Sequence, residues 1–118
     1  MNTPNFQDRR MFSRFSIQFP IQYNNISNNK YYFAQTHDIS AGGVCFESQD
    51  DVSIGSRLSL EVCDSSGTEC LTSQGEVIWK RPLGARKYRV GVKFDAIRLI
   101  EVARVLYAFR KNQPAVYS

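Results

Sequence analysis

Two short groups of residues offer recognisable chemistry. Arg9, Arg10 and Arg14 crowd into "DRRMFSR", just ahead of an alternating stretch. A guanidinium is a planar fork of N–H donors. It grips a phosphate through paired bonds and meets the O6/N7 edge of guanine in the same way. Asp38, Ser40 and Gly43 stand in "DISAGG". An ionised aspartate only accepts hydrogen bonds, which suits the N1–H and N2–H₂ edge of guanine, while a serine hydroxyl donates or accepts. Glycine lacks a Cβ, so a ligand can approach the backbone there, or the chain can take a positive φ. Each group alone has a plainer account. The arginines read equally as a solvated arm, and Asp, Ser and Gly as turn residues that bond their own backbone.

Other chemistries find little support. His37 is the one histidine, with no serine or cysteine partner at a catalytic spacing, and reads as structural or surface-exposed. The carboxylates are scattered; Asp50 and Asp51 are adjacent but look like loop residues. No P-loop or dinucleotide fingerprint occurs. The expectation is therefore a protein that is not an enzyme, with no catalytic residue. Cys45, Cys63 and Cys70 form an odd set without CxxC spacing. They read as reduced, partly buried thiols of a cytoplasmic protein, with no disulfide and no metal site. The basic residues Lys80, Arg81, Arg86, Lys87 and Arg89 read as a solvated turn, with Arg81 or Arg86 at most near a ligand's rim. Trp79 reads as a core or lip residue.

These residues must be held by something. A chain of 118 residues, 42% hydrophobic and 13% aromatic, fits one globular domain. The formal charge of +4 favours anionic partners without specifying nucleic acid. The N-terminal stretch lacks the apolar core of a signal peptide. The most apolar segment, "AIRLIEVARVLYAF", is broken by Arg98, Glu101 and Arg104, so no membrane insertion is expected.

Period-2 alternation runs through Phe15, Ile17, Phe19, Ile21 and Tyr23, with Pro20 marking an edge or bulge. Further strands follow in "KYYFAQTH", "VCFES", "RLSLEVC", "ECLTSQGEVIWKR" and "RKYRVGVKF". Gly75 marks a bulge or a close backbone approach. "DISAGG" and "DSSG" supply turns. Six strands with short turns predict an all-β antiparallel barrel or sandwich; a barrel would leave no open edge. The period then changes. Asp95 is placed to N-cap a helix over 96–111. Leu99, Val102, Ala103 and Leu106 form one stripe, widened by Ile97, Ile100, Tyr107 and Phe109. That surface is broader than one barrel contact needs, which leaves room for a homodimer contact.

Taken together, "RMFSR" and "DISAGG" resemble the two motifs of the PilZ domain, RxxxR and [D/N]xSxxG, complete and in order. "GEVIWKR", "YRVGVKFD" and the terminal helix are similar to the end of that domain, so the resemblance spans nearly the whole chain. It implies a six-stranded antiparallel β-barrel with a C-terminal α-helix, and cyclic di-GMP as the ligand. It implies a domain over 9–112, with an arginine arm at 9–14, a barrel at 15–94, a helix at 96–111 and tails at 1–8 and 113–118. By the same resemblance Arg10 and Arg14 contact phosphate and guanine, and Asp38, Ser40 and Gly43 line the face that receives a guanine. Arg9 extends the motif to RRxxxR, which in the family accompanies a self-intercalated ligand dimer. The chain leaves no room for an output domain, so the expected relay is ordering of the arm, read by an unidentified downstream protein or by self-association. Two other readings stand beside it. One is a PilZ-like interaction module that ignores the nucleotide, for instance in type IV pilus assembly or motility control. The other is a basic barrel for single-stranded nucleic acid, which the modest charge and Asp38 argue against.

Overall fold

Alternation along each strand decides which side faces inward. The computed structural model describes residues 13–28 and 30–111. Its elements are β1 (Pro20–Asn25), β2 (Tyr31–Ser40), β3 (Gly43–Ser48), β4 (Arg57–Cys63), β5 (Cys70–Gly84), β6 (Lys87–Phe94) and α1 (Leu99–Lys111). The strands close into an antiparallel barrel in the order β1-β2-β3-β6-β5-β4, sealed where Ile21 of β1 stands opposite Val62 of β4. Leu58, Leu60 and Val62, then Val90, Val92 and Phe94, point inward and meet Ile21, Ile39, Val44 and Phe46. Tyr23 also turns inward, and its hydroxyl is satisfied by the Ser48 hydroxyl at 2.8 Å. Removing these side chains from water is the main stabilising contribution, about 1.5–3 kcal/mol for each fully buried one.

The first strand differs from the alternation that predicts it. Its ladder begins at Pro20, and Phe15 makes only an isolated bridge to Ile39. The cause lies opposite. Pro20 has no N–H to give, and β2 is irregular between Thr36 and Asp38. The Thr36 hydroxyl fills the gap, accepting from the Phe19 N–H at 2.9 Å and donating to the Ile17 carbonyl at 2.7 Å. The segment before Pro20 thus stays against β2 without forming a continuous ladder with it.

Asp95 does not cap the helix. Both terminal nitrogens of Arg57 grip its two carboxylate oxygens, Nη1–Oδ1 at 2.9 Å and Nη2–Oδ2 shorter still. The helix starts later, and the Val102 N–H donates to the Arg98 carbonyl at 2.9 Å. The bond to Arg57 holds the Asp95 carboxyl below the usual carboxylate range. The Ser66 hydroxyl and then the Glu69 N–H do the same for Asp64 in the β4–β5 turn. Such groups stabilise the fold at neutral pH and lose that effect as pH falls through their native values. We therefore expect a melting temperature that is level near neutrality and drops below about pH 4. The acid drop should be shallower in an Asp64→Asn/Asp95→Asn variant, as read by thermal melts across pH.

The helix also presents a different face from the expected stripe. Val102, Val105 and Ala108 are buried against the barrel, with Leu106 and Phe109 packed beside them. Phe109 meets Phe19 edge to face, ring centres 5.6 Å apart. Leu99, Ile100 and Tyr107 are exposed.

The cysteines require a further correction. Cys63 and Cys70 are joined in a disulfide, not reduced. They are directly paired across the β4–β5 hairpin, whose turn is tied by Asp64 accepting from the Glu69 N–H at 2.8 Å. Spacing alone does not reveal such a register pair. Cys45 is a buried free thiol, pushed up to about 11 by burial first and by Asp38 next, against the pull of Arg89, Arg14 and Arg81. Thiol titration should find none reactive in the native protein, one after denaturation and three after denaturation with reductant. Reducing the bond, which closes a short loop, should cost about 2 kcal/mol or less.

Candidate functional site

The "DISAGG" stretch is less of a turn than its composition suggests. Asp38 and Ser40 belong to β2 and Gly43 opens β3; only Ala41 and Gly42 turn the chain, with Ser40 opposite Gly43. The Ser40 hydroxyl accepts from the Gly42 N–H at 3.2 Å, so the local capping duty falls to serine. Asp38 has no such duty. No described residue donates a hydrogen bond to its carboxylate; His37 Nε2 lies 3.9 Å away. The Asp38 side chain is only 15% exposed. It is a half-sheltered acceptor held on a rigid strand.

The bridge at Phe15 brings the arginine approach to this point. The Phe15 N–H donates to the Ile39 carbonyl at 2.8 Å, and the Ile39 N–H returns to the Phe15 carbonyl at 3.0 Å. Ile39 lies between Asp38 and Ser40, so Arg14 stands beside them. Arg14, Asp38, Ser40 and Gly43 all line one groove of about 560 Å³ on the outer wall. Arg14 is exposed and makes no ion pair with a described residue. Arg9 and Arg10 lie outside the described residues.

The groove runs from β2 across β3 and β6 to β5, where Cys45, Gly91, Lys93, Trp79 and Ile78 complete it; Asp95 and Ile97 close one end. Two glycines permit this wall. A Cβ on Gly43 would fall on the Val92 carbonyl oxygen, and one on Gly91 would fall on the Trp79 indole. Gly91 and Trp79 are register partners; the indole packs against the bare backbone of Gly91 and lines the groove. Trp79, which reads from the sequence as a core or lip residue, lies at the groove wall.

The next row of the wall is basic. Arg81 stands opposite Arg89, and both charges, with that of Arg14, reach the Cys45 thiol. Glu47 lies 3.3 Å from Arg89 and 3.9 Å from Lys87, while Lys80 pairs with Asp51. Arg81 and Arg86 make no ion pair with a described residue. The Arg89 Nε is buried without a described partner. To an anionic ligand the groove lining itself offers the Arg14 and Lys93 cations, the Asp38 acceptor and the Trp79 indole.

His37 is exposed and borders a separate groove of about 380 Å³ that contains none of the motif residues. Among the described residues one group could hold a metal by proximity, Glu61, Cys63 and Cys70, but its two sulfurs are bonded to each other. No helix among the described residues is long and apolar enough to cross a membrane.

The barrel interior is filled by the core, and the candidate groove lies on the outside of the sheet. The PilZ domain model matches residues 8–109, and the chain belongs to the PilZ domain family. Solved structures share its fold. The PilZ domain with c-di-GMP of YcgR from Escherichia coli is similar at a TM-score of 0.64 and 15% identity, covering 87% of this chain and 90% of that one. The Bacillus subtilis inhibitor of motility MotI/DgrA matches at 0.67 and 19% identity, over 87% of this chain. The chain spans about half of MotI/DgrA, 51%. The PilZ domain of CeSA from a cellulose-synthesizing bacterium matches at 0.61 and 16% identity, over 83% of this chain and 98% of its own. No curated protein matches by sequence.

Proposed function

We propose that this chain is a non-enzymatic receptor for cyclic di-GMP that passes the signal to a partner protein. The observation that carries the reading is the convergence of Arg14, Asp38, Ser40 and Gly43 on one groove, with the Asp38 carboxylate lacking a described donor. In this reading Asp38 and Ser40 receive a guanine edge, and Gly43 lets the base approach. Arg14 and Arg10 hold phosphate and guanine, with Arg9 extending the clamp. Trp79 gives the base a face to rest on. Two phosphates and two guanines match this donor and acceptor set. Binding orders the arm at 9–14 over the barrel wall, and the altered surface is what the partner reads. The place of action is the cytoplasm. Family membership and the neighbours solved with c-di-GMP support the ligand class.

Calorimetry with the full chain tests it. Saturable binding at micromolar concentrations is expected. No heat from folded protein would exclude the nucleotide and leave a second reading, a PilZ-type interaction module that ignores it. The exposed apolar side of α1 favours that alternative.

A further inference from the structure

Four residues share the outer side of the β4–β5 hairpin. Glu61 and Cys63 stand two apart on β4; Cys70 faces Cys63 from β5, and Thr72 faces Glu61. Leu60, Val62 and Leu71, the side chains between them, are buried in the core. The outer row therefore points to solvent, and Glu61 and Cys70 are exposed. The Glu61 carboxylate and the sulfurs of Cys63 and Cys70 lie within 4.8 Å of one another. The carboxylate makes no ion pair or hydrogen bond with a described residue.

We propose that the hairpin, once its disulfide is reduced, is a site for zinc or a cation of its class, held by Cys63, Cys70 and Glu61 with water completing a tetrahedron. Disulfide and metal are alternatives at one place. A dithiol reductant opens the bond. It gives two electrons and two protons, closes to a disulfide itself, and leaves two thiols on the hairpin. The cation then takes both sulfurs as thiolates, and the two thiol protons pass to water. Sulfurs that are no longer bonded part to roughly 3.6–3.8 Å, the spacing that two ligands about 2.3 Å from one tetrahedral ion require. The carboxylate is close enough to join them by side-chain rotation. Paired thiolates select zinc over magnesium and calcium, which take oxygen ligands.

The hairpin keeps these donors together without the covalent bond. Its ladder is continuous from Arg57 opposite Glu76 to Cys63 opposite Cys70. Beyond it Asp64 ties the turn. Its carboxylate accepts from the Glu69 N–H at 2.8 Å, its N–H donates to the Glu69 carbonyl at 3.0 Å, and its carbonyl accepts from the Gly67 N–H at 2.9 Å. A site already assembled loses little chain entropy on binding. The hairpin is thus stapled in either redox state, by sulfur to sulfur where the surroundings oxidise and by metal in a reducing compartment such as the cytoplasm. None of this depends on the nucleotide.

The full chain, reduced and then freed of reductant without air, should bind one equivalent of Co²⁺. The complex should show thiolate-to-metal charge transfer and the visible bands of a tetrahedral ion, and Zn²⁺ should displace the cobalt. The oxidised chain should show neither signal. Cys70→Ser should bind at least a hundredfold more weakly. Glu61→Gln should bind at least fivefold more weakly with the charge transfer kept, because both sulfurs remain. Zinc should raise the melting temperature of the reduced chain and leave that of the oxidised chain unchanged. The proposal is overturned if the reduced chain takes up no cobalt, whether its far-ultraviolet spectrum stays native or is lost. It is equally overturned if Cys70→Ser or Glu61→Gln binds as tightly as the wild type, or if the oxidised chain gives the same spectrum.

Discussion

Replacing Arg14 by alanine should lower the affinity for cyclic di-GMP by about ten- to a hundredfold or more, with the melting temperature unchanged. A charge-assisted hydrogen bond contributes about 1.5–3 kcal/mol. Each 1.4 kcal/mol is about a factor of ten in affinity. Stability should not follow, because the side chain is exposed and makes no ion pair with a described residue. Arg14→Lys separates charge from shape. It keeps the cation and loses the fork, so it should recover only part of the binding. Asp38→Ala should weaken binding through the opposite chemistry, by removing an acceptor. Calorimetry on the three variants decides the matter. Wild-type affinity in Arg14→Ala would remove the residue from the site.

Gly43→Ala should destabilise the barrel by roughly 3 kcal/mol, the upper range for forcing a methyl group into a packed site. The melting temperature should fall by roughly 10 °C. The motif glycine has two separate reasons to be there. One is access for a ligand. The other is access for β6: the new Cβ would lie 2.3 Å from the Val92 carbonyl oxygen, which is backbone and cannot swing aside. Relief requires β3 and β6 to part along the seam where Gly43 faces Lys93 and Val44 faces Val92. A thermal melt distinguishes the two reasons. A variant of native stability that has lost only the nucleotide would assign Gly43 to the ligand alone.

Much of the wall was legible in the sequence because burial imposes a period of two. Leu58, Leu60 and Val62 alternate with polar neighbours, and so do Val90, Val92 and Phe94. The candidate site was legible as two separated motifs, since a guanidinium cluster and an acceptor–glycine pair have few shared uses. What escaped was decided by residues distant in the chain. Asp95 has every local property of a helix cap, but Arg57, brought in from β4, binds it more firmly. The alternation from Phe15 to Tyr23 is real, yet its ladder is broken by a proline and by a threonine hydroxyl on the neighbouring strand. Cys63 and Cys70 meet only because the hairpin register sets them opposite. The helix stripe failed for a different reason. With apolar residues on both sides, periodicity cannot say which side the barrel takes, and Val102 with Val105 takes it, leaving Leu99 outside.

Trp79, pressed against Gly91 at the groove wall, is the one tryptophan of the chain. All indole emission therefore originates at a single place, beside the proposed ligand. The protein carries its own optical gauge of that groove, readable without a label and blind to events at the far side of the barrel. Guanine stacked there would quench it.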